Sequence, residues 1–154
     1  MAIPWYYRFY FYGIHGFFDE ILFTSLHDFF LLEKDYRLKG QSSLHVFYMY
    51  GLASLQVEHL YLNYLKCKCG LLTRCIVYCL YGFSWEFLIG LILSCFSACP
   101  WDYSDHKYNL MGLITLEYGP LWVLCCLVQE LFSDTLAKFC VKESTQETYE
   151  SKRD

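Results

Sequence analysis

Four glutamates, Glu20, Glu58, Glu86 and Glu117, each stand inside a stretch of otherwise apolar sequence. A carboxylate held near the centre of a bilayer is costly and usually faces a bundle interior or a cavity. Two chemistries follow. As exchangeable ligands around a polar interior, the four acids would carry a cation, a proton or a small solute. As polar glue, each would pair with His15, His59, Arg74 or a tyrosine hydroxyl and fix helix register. A metallohydrolase is a third reading, because His15 and Asp19 lie one helical turn apart and Glu58-His59 would add ligands. No complete ligand motif occurs, so we expect no metal, no cofactor and no enzyme activity.

The neighbours of the acids place them on helix–helix surfaces. Residues four apart share a helix face. Gly82, Glu86, Gly90 and Ser94 form one stripe, Gly16, Glu20 and Thr24 a second, and Gly51, Ser54 and Glu58 a third. Small residues let helix backbones approach closely in lipid. Glu117 differs, with Leu113 and Leu121 around it and Pro120 one turn on, where a kink is expected. A faint repeat links two of the acids: Tyr12-Gly13 precedes Glu20 as Tyr50-Gly51 precedes Glu58.

The elements that must hold these acids are long apolar helices. The chain has 154 residues and a net charge of −4, with 56% hydrophobic and 21% aromatic residues. One domain fits that length, and the acidic balance excludes a basic nucleic-acid binder. A membrane span needs about 20 mostly apolar residues. Residues 71–96 carry 13 Leu, Ile, Val or Phe against one central acid, Glu86, and residues 110–132 carry 11 against Glu117 and Glu130. At roughly −0.3 to −0.6 kcal/mol for each large apolar residue and about +3 for a central carboxylate, both insert. Residues 44–65 and 9–31 are marginal by the same arithmetic, the latter because Asp19 and Glu20 lie at its middle. Apolar residues nevertheless surround 9–31 on all sides, unlike a soluble helix with one wet face. The expected fold is therefore an all-α, four-helix transmembrane bundle over residues 1–135. A polar, disordered cytosolic tail is expected over 136–154.

Eight of the 12 basic residues fall on the side shared by both termini and the loop between spans two and three. The positive-inside rule then puts both termini in the cytosol. The start lacks the features of a cleaved secretory signal, so the first span would serve as its own insertion signal. Of the nine cysteines, five lie within spans, where a free thiol packs as a small hydrophobe. Cys67, Cys69 and Cys140 are juxtamembrane and are candidates for reversible palmitoylation, with unmodified thiols the alternative.

Between spans three and four lies Ala98-Cys-Pro-Trp-Asp-Tyr-Ser104, followed by Asn109-Leu-Met-Gly-Leu-Ile-Thr-Leu-Glu117. Pro100 stops the helix, Asp102 or Ser104 would cap a turn, and Trp101 and Tyr103 suit the aromatic belt at the headgroups. On these residues, with Ile14-His-Gly-Phe17 and Trp85-Glu-Phe87, the chain resembles the transmembrane protein 229 family, most closely its "229b" branch. The resemblance covers most of residues 10–132. It implies a multi-pass membrane protein without an established activity, and it singles out Glu20, Glu86, Trp101, Asp102, Tyr103, Asn109 and Glu117. Distant prokaryotic relatives with Trp-Asp-Tyr-Ser are labelled ABC-transporter components. This chain has no Gly-x-x-x-x-Gly-Lys phosphate loop with which to hydrolyse ATP itself.

The sequence thus supports a small transport or permeation component, or a subunit of one, with an acid-lined interior. The alternative is a non-transporting scaffold or regulatory protein whose acids only set packing. The expected partners are the lipid bilayer and a second copy or a larger membrane complex.

Overall fold

The structure is a computed structural model that describes residues 3–32, 34 and 36–139. Its architecture is all-α. Helix α1 (Trp5–His27) starts directly after Pro4 and passes into a π turn at Asp28–Leu32. Helix α2 (Leu44–Leu60) ends in a second π turn, Tyr61–Leu65. Helix α3 (Leu71–Cys95) follows Gly70 and stops short of Pro100. A small hairpin comes next: β1 (Asn109–Leu110) pairs antiparallel with β2 (Ile114–Thr115), Asn109 opposite Thr115. A 3-10 turn, Leu116–Tyr118, leads into α4 (Gly119–Lys138).

The helices α1, α2 and α3 occupy the first three apolar stretches. The fourth stretch is divided differently from expectation. Residues 110–118 are hairpin and 3-10 turn, and the helix begins only at Gly119. Pro120 therefore sits in the first turn of α4 and kinks nothing. Its missing N–H falls where a helix has no bond to make, so the proline starts the helix. At the far end α4 runs on to Lys138, which makes residues 136–138 helical. The expected tail from residue 140 onward, with Cys140, lies outside the described residues.

The helices pack as two antiparallel hairpins, α1 with α2 and α3 with α4, joined where α2 meets α4 and α3. Val57, Tyr61, Leu65, Tyr78 and Cys126 form the central apolar cluster. The distribution of polarity is the reverse of a soluble bundle. Helix α3 buries Tyr78, Gly82, Glu86 and Gly90, and turns Leu72, Ile76, Leu80, Leu88 and Ile92 outward. Helix α4 buries Gln129, Glu130 and Ser133 and exposes Leu124 and Leu131. Water would favour the opposite arrangement. A lipid-facing surface needs this one, with small and polar residues between the helices. Ser94 is exposed, so the small-residue stripe on α3 ends at Gly90. Two segments, Leu71–Cys95 and Leu116–Lys138, are long and apolar enough to cross a membrane. Helix α1, with its two central acids, and α2, at 17 residues, fall short of that measure.

Candidate functional site

The α1–α2 interface holds a reciprocal pair of bonds. Tyr12 donates its hydroxyl to Glu58 Oε2 at 2.5 Å, and Tyr50 donates to Glu20 Oε2 at 3.3 Å. The glycines behave the same way. A Cβ at Gly13 would meet the Phe47 ring at 2.6 Å, and one at Gly51 would meet the Phe9 ring at 2.7 Å. Phe9 and Phe47, Tyr12 and Tyr50, Gly13 and Gly51, and Glu20 and Glu58 stand at one and the same sequence offset. The faint repeat is thus the sequence image of an approximate two-fold axis between antiparallel helices.

The two halves differ at one decisive position. Glu58 is also ion-paired with Arg8. The counterpart of Arg8 in the second half is Val46, which is 2% exposed. Among the contacts of the described residues, Glu20 has a tyrosine partner, Tyr50, where Glu58 has a tyrosine and an arginine.

The remaining deep acids divide along the same line. In the α3–α4 hairpin, Arg74 Nε lies 2.9 Å from Glu130 Oε1, and Tyr78 donates to that oxygen at 2.6 Å. Lys66 Nζ lies 2.5 Å from Asp134, which also accepts from Tyr61 at 3.2 Å. That hydrogen bond raises the Lys66 pKa above its ordinary value. These three lysine and arginine pairs cluster at the end of the bundle where α1 and α3 begin. Glu86 lies toward the other end. It accepts from Tyr103 Oη at 2.8 Å and from Trp122 Nε1 at 2.9 Å, both uncharged donors. Gly82 makes room for that indole, since a Cβ there would lie 2.9 Å from it.

Glu20 and Glu86 open onto one cavity of about 590 Å³ between the two hairpins. Among the described residues, no lysine or arginine lines it. His15 Nδ1 lies 2.6 Å from Asp19 Oδ2 near its edge. Aromatic rings make up much of the wall, with Tyr50 stacked against Trp122 at 6.3 Å and Tyr118 edge-on to both Phe23 and Tyr103.

The loop before α4 closes this end. Tyr103 turns its hydroxyl inward onto Glu86. Trp101 donates to the Leu113 carbonyl at 3.0 Å, with its ring against Gly90. Asp102 Oδ1 accepts from Ser104 N at 2.9 Å and from its hydroxyl at 2.5 Å, which holds the exposed Asp102 carboxyl below its ordinary pKa. Asn109 donates to the His106 carbonyl at 2.7 Å and accepts from Gly112 N at 3.0 Å. Gly112 has φ +68°, and a Cβ there would strike Asp102 Oδ1 at 2.7 Å, so glycine is required. Trp101, Asp102 and Asn109 thus fold the loop, and Tyr103 connects it to the cavity.

Of the four expected interior acids, the structure brings Glu20 and Glu86 together. Glu58 is buried but committed to Arg8. Glu117 is a correction. It is exposed, in the 3-10 turn, and accepts from Thr115 Oγ1 and from Tyr108 N at 3.2 Å. It closes the hairpin because the helix that would have carried it inward starts two residues later. His59 is exposed and bonds Asn63. Among the described residues no group of three His, Cys, Asp or Glu side chains is placed to hold a metal. Cys67 is an exposed free thiol and Cys69 a half-buried one. Sequence reasoning passed over Tyr12, Tyr50, Trp122 and Arg8 as site residues. The repeat held the signal for the two tyrosines, and the Arg8–Val46 mismatch within it held the signal for the unpaired acid.

Over residues 7–151 the chain matches the family described as "putative ABC-transporter type IV". The chain belongs to that family. No solved structure matches it. Membership agrees with the outward-facing apolar helices, and for this family member it brings the acid-lined cavity forward as the feature to explain.

Proposed function

We propose that this protein is a multi-pass integral membrane protein with four spans and both termini cytosolic, serving as a small transport or permeation component or a subunit of one. The observation that carries the reading is the division of the deep acids. Glu58 and Glu130 each have an arginine and a tyrosine, which satisfies them as packing elements. Glu20 and Glu86 have only uncharged donors and face a shared void. A carboxylate without a cation beside a cavity is suited to exchange a positively charged guest. The reading includes no catalysed reaction and no cofactor. Its partners are the bilayer and further copies or a larger membrane assembly, since four helices are few for a transporter acting alone. The resemblance to the transmembrane protein 229 family belongs to the same reading, as does lipidation of Cys67, an exposed thiol beside the membrane.

The test is flux in proteoliposomes. Purified protein should pass protons or small cations down an imposed gradient, and Glu86→Gln should abolish this while leaving the melting temperature within a few degrees. A folded Glu86→Gln protein with unaltered flux sinks the reading. The ion pairs Arg8–Glu58 and Arg74–Glu130 favour a second reading in which all the acids serve packing. In that case Glu86→Gln would lower folded yield as Glu58→Gln does, and no flux would be seen in either.

A further inference from the structure

The cavity is too large for a bare ion. At about 30 Å³ per water, 590 Å³ corresponds to roughly 20 water molecules. It falls in the range of about 300–1,000 Å³ typical of sites for organic ligands. Its lining follows the pattern of such sites, mostly apolar and aromatic with a few convergent polar groups. Here they include the carboxylates of Asp19, Glu20 and Glu86 beside neutral hydroxyl and amide groups and His15, and no lysine or arginine lines the wall among the described residues. Aromatic faces attract cations as well.

Helix α1 meets the α4 segment through ring edges at two levels, Phe11 and His15 against Phe132 of α4, and Phe23 against Tyr118 in the 3-10 turn just before it. Between those levels stand Leu22, Leu124 and Val128, which line the cavity and are themselves solvent-accessible. The mouth therefore opens through an apolar surface that faces lipid in the proposed arrangement, while the floor carries Glu20 and Glu86.

We propose that this cavity binds lipophilic organic cations, hydrophobic amines or quaternary ammonium compounds, that enter from the bilayer between α1 and α4. The charged head lies on Glu20 and Glu86 among Tyr50, Trp122 and Tyr118, and the apolar part lies along Leu22 and Leu124. The inference rests on the reading of these two acids as ligands, and it names the class of guest.

Tetraphenylphosphonium and tetraphenylborate have nearly the same shape and opposite charge, which makes them the probes. The full chain is placed in lipid nanodiscs and binding is followed by equilibrium dialysis. Saturable binding of the phosphonium, at least about tenfold tighter than the borate, is expected. Glu20→Gln and Glu86→Gln should each weaken it about tenfold, the loss expected when one charge contact of about 1.4 kcal/mol is removed. Leu124→Trp, which leaves the acids intact and narrows the mouth, should slow phosphonium association severalfold, so the inference stays testable if a glutamine variant fails to fold. Equal binding of the two ions, or phosphonium binding that survives the Glu20→Gln/Glu86→Gln double substitution, overturns the site. Association unaffected by Leu124→Trp overturns the lateral entry. Specific phosphonium binding without any flux would overturn the transport reading and leave the site standing. Proton or potassium flux without phosphonium binding would do the reverse.

Discussion

Tyr12 donates a 2.5 Å hydrogen bond across the α1–α2 interface to Glu58, and an approximate two-fold axis repeats that contact as Tyr50 to Glu20. The axis stops short of the charges. Arg8 completes the first half, while Val46 stands in its place in the second. One arginine thus separates a structural acid from an available one.

That difference makes Val46→Arg an informative substitution. The register of the two helices carries an arginine at this position toward Glu20, as it carries Arg8 toward Glu58. Because Val46 is buried, we expect the variant to lose about 1–3 kcal/mol to overpacking, and the protein that folds to lose cation flux and phosphonium binding. Retained flux in a folded Val46→Arg protein would show that the Glu20 charge is not used.

Glu58→Gln should act on stability. The Glu58 side chain is 6% exposed and that of Arg8 26%, so the substitution leaves a largely buried guanidinium without its counterion. Breaking such a pair costs on the order of 3 kcal/mol. Thermal unfolding in detergent should show a clear drop in melting temperature for Glu58→Gln and little for Glu86→Gln, whose partners are uncharged.

Tyr103→Phe removes the hydroxyl that ties the outer loop to Glu86. A hydrogen bond to a carboxylate contributes about 1.5–3 kcal/mol. Loosening it should expose Glu86, and labelling by dicyclohexylcarbodiimide, located by peptide mass spectrometry, should rise at Glu86 and stay constant at Glu58. Equal labelling of wild type and variant would place the closure of the cavity elsewhere.

Gly82→Leu tests the indole. A Cβ at Gly82 already lies within 2.9 Å of Trp122, so a larger side chain must displace it and break its bond to Glu86. Overpacking of this kind costs about 1–3 kcal/mol. A shift in tryptophan emission that a Gly82→Leu/Trp122→Phe protein lacks would assign the change to Trp122.

The loop has its own pH response. Hydrogen bonds from Ser104 hold the Asp102 carboxyl below its unfolded pKa of about 3.9. The ionised form is thereby favoured in the fold, so its contribution is present above that value and fades as pH falls through the lower, folded one. Unfolding followed between pH 6 and 3 should show a smaller acid-side loss for Asp102→Asn than for wild type. The effect should be small because Asp102 is exposed.

The long apolar segments and most helix positions were legible in the chain itself. Hydropathy adds up locally along a segment, so Leu71–Cys95 declares itself without reference to any other part. The stripe of Gly82, Glu86 and Gly90 was legible for the same reason, since a helix fixes which neighbours share a face. Glu117 was misread because a proline at residue 120 is compatible with either a kinked helix or a helix start, and only the pairing of β1 with β2 selects the second. Which acids are neutralised was decided by tertiary structure alone. Ion pairing depends on the register between two helices, so Arg8 reaches Glu58 and Arg74 reaches Glu130 from far along the chain. Composition counts the charges, but only the packed bundle determines that Glu20 and Glu86 face the void with uncharged hydrogen-bond donors.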